Sequence, residues 1–231
     1  MSSPSHPTER RAIIDGCLAM NRLGINQGSS GNLSIRVGEG FLVTPTSLPY
    51  DEMTPDDVVE MGFDGTYVGA RRPSSEWRFH RDILRARPDV NVVLHTHAVH
   101  ATALAVHGRG IPSFHYMVAL AGGDSIRCAP YATFGTQDLS DHALAALDGR
   151  LACLLANHGM IVLGGSVKAA LALAVEVETL ARQYLLAQQL GEPVILPPDE
   201  IARVAEKMRR MKYGQPLDDR DAPEDTARPR G

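Results

Sequence analysis

The chain has 231 residues, of which 44% are hydrophobic and 22% charged, and its formal net charge is −4. One domain is expected, because domains average ~150 residues, and the length is ample for a sizeable core. The small negative balance and the scattered basic residues exclude a nucleic-acid-binding stripe, and no apolar run approaches the roughly 20 residues that span a bilayer.

In chain order, Glu9 to Leu23 carries Ile13, Ile14, Cys17, Leu18 and Met20 at mostly helical spacing, with Gly24 as the stop. Gln27 to Asn32 is a run of turn formers. Leu33–Val37 and Phe41–Thr44 read as two strands of a hairpin turning at 38–40, with Pro45 ending the second. Ser74-Ser75-Glu76 opens a helix that reaches Arg87 and stops at Pro88. Val90–Thr96 is a buried strand, His97–Val106 a helix ending near Gly108, and Thr136 or Asp138 caps a helix to Leu147. Leu151–Ala156 and Ile161–Leu163 are strands joined at Asn157-His158-Gly159. Ser166 caps the longest helix, which runs to Leu190 and ends at Gly191, and a last helix covers about Asp199 to Tyr213. The Asp-, Arg- and Pro-rich stretch from Gly214 to Gly231 is expected to be a mobile tail after a domain spanning 1–213. Hairpins mixed with helices point to a single layered α/β domain.

The cysteines, Cys17, Cys128 and Cys153, are too few and odd in number for a disulfide framework, and they read as buried small apolar residues in a reducing compartment. Met1 to Arg11 lacks the apolar core of a signal peptide, so a cytoplasmic location is expected.

The chemical signal begins at His95-Thr96-His97. Side chains at i and i+2 of a strand share a face, so two imidazoles at a strand end are placed to share a cation. His-x-His alone is more often a solvated strand end. Company changes the balance: His158 sits in another strand-turn-strand unit, and Glu76 opens a helix beside two serines. Three neutral imidazoles and a carboxylate match a catalytic divalent site with an open position. Zinc is the first expectation, and manganese, iron or cobalt suit the same donors. Of the other histidines weighed, His80, His100, His107, His115 and His142 read as helix-surface or supporting residues, His100 being the best supporting candidate.

Three segments suit an anion. Gly31-Asn32 offers backbone amides, Thr44 to Ser47 offers hydroxyls and a turn amide, and Ser74-Ser75 lies at a helix start. Each alone is ordinary turn or cap chemistry, and none matches the Rossmann or P-loop pattern. Together with the metal signal they suggest a phosphorylated small molecule. Lys168, Lys207 and Lys212 have polar helical neighbours and read as surface residues rather than Schiff-base lysines.

Five stretches carry a family resemblance: Leu23 to Gly28, Pro73 to His80, His95 to His100, Ile111-Pro112 with His115-Tyr116-Met117, and Cys128 to Thr136. On these the chain resembles the class II aldolase/adducin family, nearest to its L-fuculose-1-phosphate aldolases, from about Ile13 to Tyr213. The resemblance implies a three-layer α/β/α domain with a central, mainly antiparallel sheet. It also implies a homotetramer with active sites at subunit interfaces. By position it makes His95, His97 and His158 the metal ligands. Glu76 becomes the catalytic acid/base, able to ligate the metal when no substrate is bound. Gly31, Asn32, Thr46, Ser47, Ser74 and Ser75 become the phosphate-binding groups. Tyr116 from a neighbouring subunit becomes the proton donor on the aldehyde side, with Tyr213 and Phe134 facing the aldehyde. Two positions depart: Ser47 stands where relatives usually carry Gly, and the stretch beyond Tyr213 is longer than expected.

The implied reaction is metal-dependent cleavage of a deoxyketose 1-phosphate to dihydroxyacetone phosphate and an aldehyde. The substrate alternatives are L-fuculose 1-phosphate, a 5-deoxypentulose 1-phosphate and 5-methylthioribulose 1-phosphate. Three rivals share the family. A sugar-phosphate 4-epimerase is disfavoured by Glu76 in a slot expected to hold Asp. A methylthioribulose-1-phosphate dehydratase is disfavoured by the match through Phe134. A non-catalytic adducin-like assembly module is disfavoured because all three histidines are present.

Overall fold

The computed structural model describes residues 5–211. Lys212, Tyr213 and the tail expected from Gly214 onward lie outside the described residues. The elements are α1 (Pro7–Arg22), β1 (Asn32–Val37), β2 (Gly40–Val43), β3 (Val59–Gly62), β4 (Tyr67–Val68), α2 (Trp77–Ala86) and β5 (Val92–Thr96). They continue with α3 (Val99–Ala105), β6 (Ile111–Pro112), β7 (Ser125–Ala129), α4 (Gln137–Ala146), β8 (Ala152–Leu155), β9 (Gly159–Gly164), α5 (Val167–Gln188) and α6 (Pro198–Arg210). Among the described residues the strands form one nine-stranded sheet in the order β4-β3-β2-β1-β5-β9-β8-β7-β6. Neighbours are antiparallel except β7 and β8, which run parallel.

The central strands are apolar without alternation because both sheet faces are covered. In β5, Val92 and Leu94 face one cluster, with Ile13, Met20, Leu104 and Val177 from α1, α3 and α5. Val93 faces the other, with Phe79, Ile83 and Leu139 from α2 and α4. The α/β/α layering expected from the sequence is therefore present. The longest helix, α5, buries Ala170, Ala174, Val177, Ala181 and Tyr184 at three- and four-residue steps, and Ser166 caps it by accepting from the Ala169 amide at 3.2 Å.

Four strands were not expected: β3, β4, β6 and β7. All are short and peripheral, and two of them have only two residues each. The helix expected from His97 starts only at Val99. Its cap is remote: the Glu178 carboxylate on α5 accepts from the His100 and Ala101 amides, each at 2.9 Å. His97 therefore prolongs the strand path instead of entering the helix. Cys17 and Cys153 are buried as expected, Cys128 is only half-buried, and all three are free. No helix among the described residues is long and apolar enough to cross a membrane.

Candidate metal and substrate site

The strand order brings the predicted ligands together. β5 ends in His95-Thr96, and β9 pairs with it so that His95 faces Ile161 and Thr96 faces Met160. The β8–β9 turn then throws His158 back over the end of β5. This turn needs Asn157 in the left-handed region, at φ 56, a conformation Asn tolerates better than most residues. It also needs Gly159, because a Cβ there would lie 2.6 Å from the Thr96 carbonyl and 2.9 Å from the His97 ring.

The ligand nitrogens of His95, His97 and His158 all lie within 4.8 Å of one another. His95 Nδ1 is 2.9 Å from the Met160 carbonyl. A carbonyl only accepts, so Nδ1 carries the proton and Nε2 presents its lone pair inward. Burial pushes the pKa of His95 down to about 3 and that of His158 to about 4. His97 is lowered by burial as well, with Glu76 pulling it the other way. All three are thus neutral near pH 7, the state a metal requires.

Glu76, the residue preceding α2, is 5% exposed. Its Oε2 lies 3.3 Å from His95 Nε2 and its Oε1 3.4 Å from His158 Nε2. Neutral rings make these contacts something other than salt bridges. Oε1 is buried without a hydrogen-bond partner, which costs free energy unless a cation is supplied. Donor atoms held ~2.1 Å from a tetrahedral ion stand ~3.3–3.4 Å apart. The two Glu76 contacts match that edge, and His95 Nε2 to His97 Nε2, at 3.1 Å, comes close. The donor set fits a divalent metal.

The supporting histidine is His80 rather than His100. His100 pairs with Glu178 at 2.7 Å on the α3–α5 side. His80, fully buried, contacts Asn32 Oδ1 at 2.6 Å and Ser34 Oγ at 2.7 Å. Asn32 in turn donates to Glu76 Oε2 at 2.9 Å. The amide expected on a phosphate is thus committed to the carboxylate.

The phosphate expectations converge on one cleft of ≈ 480 Å³ lined by Gly31, Asn32, Thr46, Ser47, Ser74 and Ser75, with Gln27, Ser29 and Ser30 added by the 27–30 turn. The two hydroxyl loops are laced together. Pro45 bridges Pro73, the Thr46 amide donates to Arg72 O at 3.1 Å, and the Ser74 amide donates to Thr44 O at 2.9 Å. Gly31 is tight because a Cβ would lie 2.6 Å from the His95 carbonyl. Ser47 adopts φ 56, the conformation that favours glycine, so the departure noted at this position is a local backbone cost. No lysine or arginine is among the described residues lining this cleft.

Ser30, Ser75 and Glu76 also line a second cleft, of ≈ 330 Å³, with His97, His158, Tyr131, Ala132 and Phe134. Phe134 lines this cleft. Tyr131 was missed, although it sits inside the Cys128–Thr136 stretch. The loop is docked by Arg78, which donates to the Gly135 carbonyl at 2.7 Å. A Cβ at Gly135 would lie 2.6 Å from Ser75 O. Tyr116 lies elsewhere, half exposed on the 3-10 turn Tyr116–Ala121, and does not line either cleft of its own chain. Tyr213 lies outside the described residues. Lys168 and Lys207 are exposed, as expected.

Residues 11–185 match the family model described as the Class II Aldolase and Adducin N-terminal domain. The chain belongs to this family. As a class II aldolase it is similar to a 5-methylthioribulose-1-phosphate/5-deoxyribulose-1-phosphate aldolase of Rhodospirillum rubrum, 56% identical over 200 residues, 87% of this chain and 90% of the relative. It is 50% identical over 200 residues to an L-fuculose phosphate aldolase of Escherichia coli, covering 86% and 93%. A solved L-fuculose 1-phosphate aldolase superposes with a TM-score of 0.86 at 36% identity, covering 90% of this chain and 98% of that one. The aldolase expectation and its lyase class stand with these relatives, and the three-imidazole cluster accords with the metal dependence of the class.

Proposed function

We propose that the enzyme cleaves a 5-deoxypentulose 1-phosphate or 5-methylthioribulose 1-phosphate to dihydroxyacetone phosphate and an aldehyde. The observation that carries this reading is Glu76: a buried carboxylate with one unpartnered oxygen, among three neutral imidazoles, on the wall shared by two clefts. Cleavage between C3 and C4 leaves the bonding pair on C3. The C4 hydroxyl loses its proton as the aldehyde forms, and C3 gains one. Glu76 carries the C3 proton, a task worth typically ~10²–10⁴-fold. His95, His97 and His158 would hold a divalent cation, zinc first, with Glu76 as a further ligand before substrate binds. That ion supplies Lewis-acid stabilisation for the charge developing on the substrate oxygens.

Gly31, Thr46, Ser47, Ser74 and Ser75 orient the phosphate end with backbone and hydroxyl donors in place of cationic side chains, while the Asn32 side chain, expected there, is held between Glu76 and His80. Tyr116 of a neighbouring copy exchanges the proton at the C4 oxygen, and Tyr213 and Phe134 face the aldehyde. A homotetramer with shared sites fits the exposed Leu186, Leu190 and Val194 near the end of α5. A cytoplasmic location fits the three free thiols.

The substrate choice rests on the second cleft, whose far wall offers Tyr131, Ala132 and Phe134. All three candidates end in a methyl or methylthio group, but the two pentulose phosphates release an aldehyde without the extra hydroxyl of the one from L-fuculose 1-phosphate, and a wall of aromatic rings and a methyl group suits the aldehyde without it. L-Fuculose 1-phosphate is the second reading, favoured by the 0.86 TM-score to an aldolase of that name. A coupled assay for dihydroxyacetone phosphate on all three substrates separates them, run with wild type, Glu76→Gln and chelator-treated protein. Release that needs both metal and Glu76, best with the deoxy or methylthio substrate, is the expected result. A clear preference for L-fuculose 1-phosphate selects the second reading. No release by metal-loaded wild type returns the question to the epimerase and dehydratase alternatives.

A further inference from the structure

Behind Glu76 runs a buried polar chain whose outer members, Ser34 and His80, have no task in the reaction as described. Ser34 and His80 are fully buried, and Asn32 and Glu76 are each 5% exposed. Four groups in three contacts run from β1 through α2 and back to Glu76: Ser34 Oγ to His80 Nδ1 at 2.7 Å, His80 Nε2 to Asn32 Oδ1 at 2.6 Å, and Asn32 Nδ2 to Glu76 Oε2 at 2.9 Å. Such a chain has a direction. An ionised carboxylate only accepts, so the Asn32 NH2 must face Glu76 and its carbonyl must face His80. The ring nitrogen meeting that carbonyl must then carry the proton. His80 is therefore the Nε2–H tautomer, and its bare Nδ1 accepts from the Ser34 hydroxyl. Burial and the neighbouring His95 hold His80 well below the usual histidine range, in keeping with a neutral ring.

We propose that His80 is a positioning residue for the proton transfer. Through Asn32 it anchors Glu76 by Oε2, leaving Oε1 as the oxygen that takes and returns the substrate proton. Oε1 is the atom left without a hydrogen-bond partner, and it faces His158. Without the His80 proton, the Asn32 amide has no reason to prefer the orientation that gives Glu76 its donor. Rotation by half a turn would set a carbonyl against the carboxylate. The plain alternative is that His80 merely fills the space between α2 and β1 beside Phe79, 4.6 Å away ring to ring. The two differ in what a substitution does.

The inference rests on the aldolase reading, so its test begins with the metal-free wild-type protein. Nitrogen-15 NMR of the imidazoles is expected to show His80 protonated at Nε2 and bare at Nδ1. A ring protonated at Nδ1, or at both nitrogens, overturns the proposal whatever the enzyme does. Metal-loaded wild type, His80→Phe and His80→Gln are then compared for exchange of deuterium from D2O into dihydroxyacetone phosphate, without aldehyde. Glutamine keeps an N–H donor near the Nε2 position, whereas phenylalanine keeps only bulk. His80→Phe is expected to slow exchange ~10–100-fold, the usual cost of losing a partner behind a metal-site group. Its metal content and its KM for dihydroxyacetone phosphate should stay near the wild-type values, and His80→Gln should recover most of the rate. Exchange by His80→Phe at the wild-type rate, or Gln no better than Phe, overturns the proposal and leaves the aldolase reading standing. A metal-loaded wild type that exchanges no deuterium overturns the aldolase reading and this inference together.

Discussion

The metal corner and the phosphate corner share Glu76 as a wall, yet they are built on opposite terms. The first stands on strand ends and a turn fixed by Gly159, with His95 buried and His97 and His158 partly buried beside it. The second is lined mainly by Ser and Thr side chains and the Gly31 backbone from three loops, with Thr46, Ser47 and Ser75 exposed and no lysine or arginine among its described lining residues. In the proposed reaction the first corner carries the chemistry, and the second holds the substrate by hydrogen bonds rather than by charge.

If that division is real, substitutions at the two corners should fail differently. The largest effect is expected at Glu76→Gln, which should cut turnover ~10²–10⁴-fold while the three imidazoles still hold metal. Dihydroxyacetone phosphate release alongside bound-metal analysis reads both. Next, Gly159→Ala should lower metal affinity ~10–100-fold by pushing the β8–β9 turn away from the Thr96 carbonyl and the His97 ring. Titration against a competing chelator measures it, and unchanged affinity would mean the turn does not set the ligand geometry. At the other corner, Ser75→Ala should raise KM roughly tenfold with little change in kcat, the value of one hydrogen bond to a charged group. That KM should also respond weakly to ionic strength, since no cationic side chain among the described lining residues meets the phosphate.

The corners should also respond differently to acid. His95 falls from 6.5 to about 3 and His158 from 6.5 to about 4 in the folded protein. The unfolded chain thus binds more protons below pH 6.5, and stability is lost as pH falls through that window. Metal-free protein should melt at a lower temperature at pH 5.5 than at 7.5. Bound metal should raise stability across this window without flattening the slope, because a metal-held ring binds no proton either, and a flat metal-free profile would contradict neutral buried rings. The smallest effect is expected at Ser47→Gly. Relief of a left-handed non-glycine residue, less the extra chain entropy of glycine, leaves a gain of ~0.5 kcal/mol. Denaturant unfolding can resolve it.

Much of the site was legible because its signals are local. His95 and His97 share a strand face, His158 sits in a turn whose residue types announce it, and Ser166 and Thr136 cap helices as expected. What was not legible depends on partners far away in sequence. The start of α3 is set by Glu178, and nothing near His97 betrays that. His80 belongs to a good amphipathic helix pattern, so only the position of β1 shows that its ring meets Asn32 and Ser34 rather than solvent. β3 and β7 carry four and five residues with partial alternation. Their strand state comes from the partners on either side of them, β2 and β4 for β3 and β8 and β6 for β7. Tyr131 lay in a recognised stretch but only the docking of the loop by Arg78 gives it a side of the cleft.

The strand order has one more consequence. β5 is flanked by β1 on one side and β9 on the other, so its ligands come from chain segments made at different times. On a ribosome adding ~5–20 residues per second, His95 and His97 emerge seconds before His158. Until β9 has been translated and inserted, the nascent chain has two of the three ring ligands and no strand on that side to hold them. Tight capture of the ion then coincides with closure of the sheet, and an early-terminated chain is left without a finished metal site.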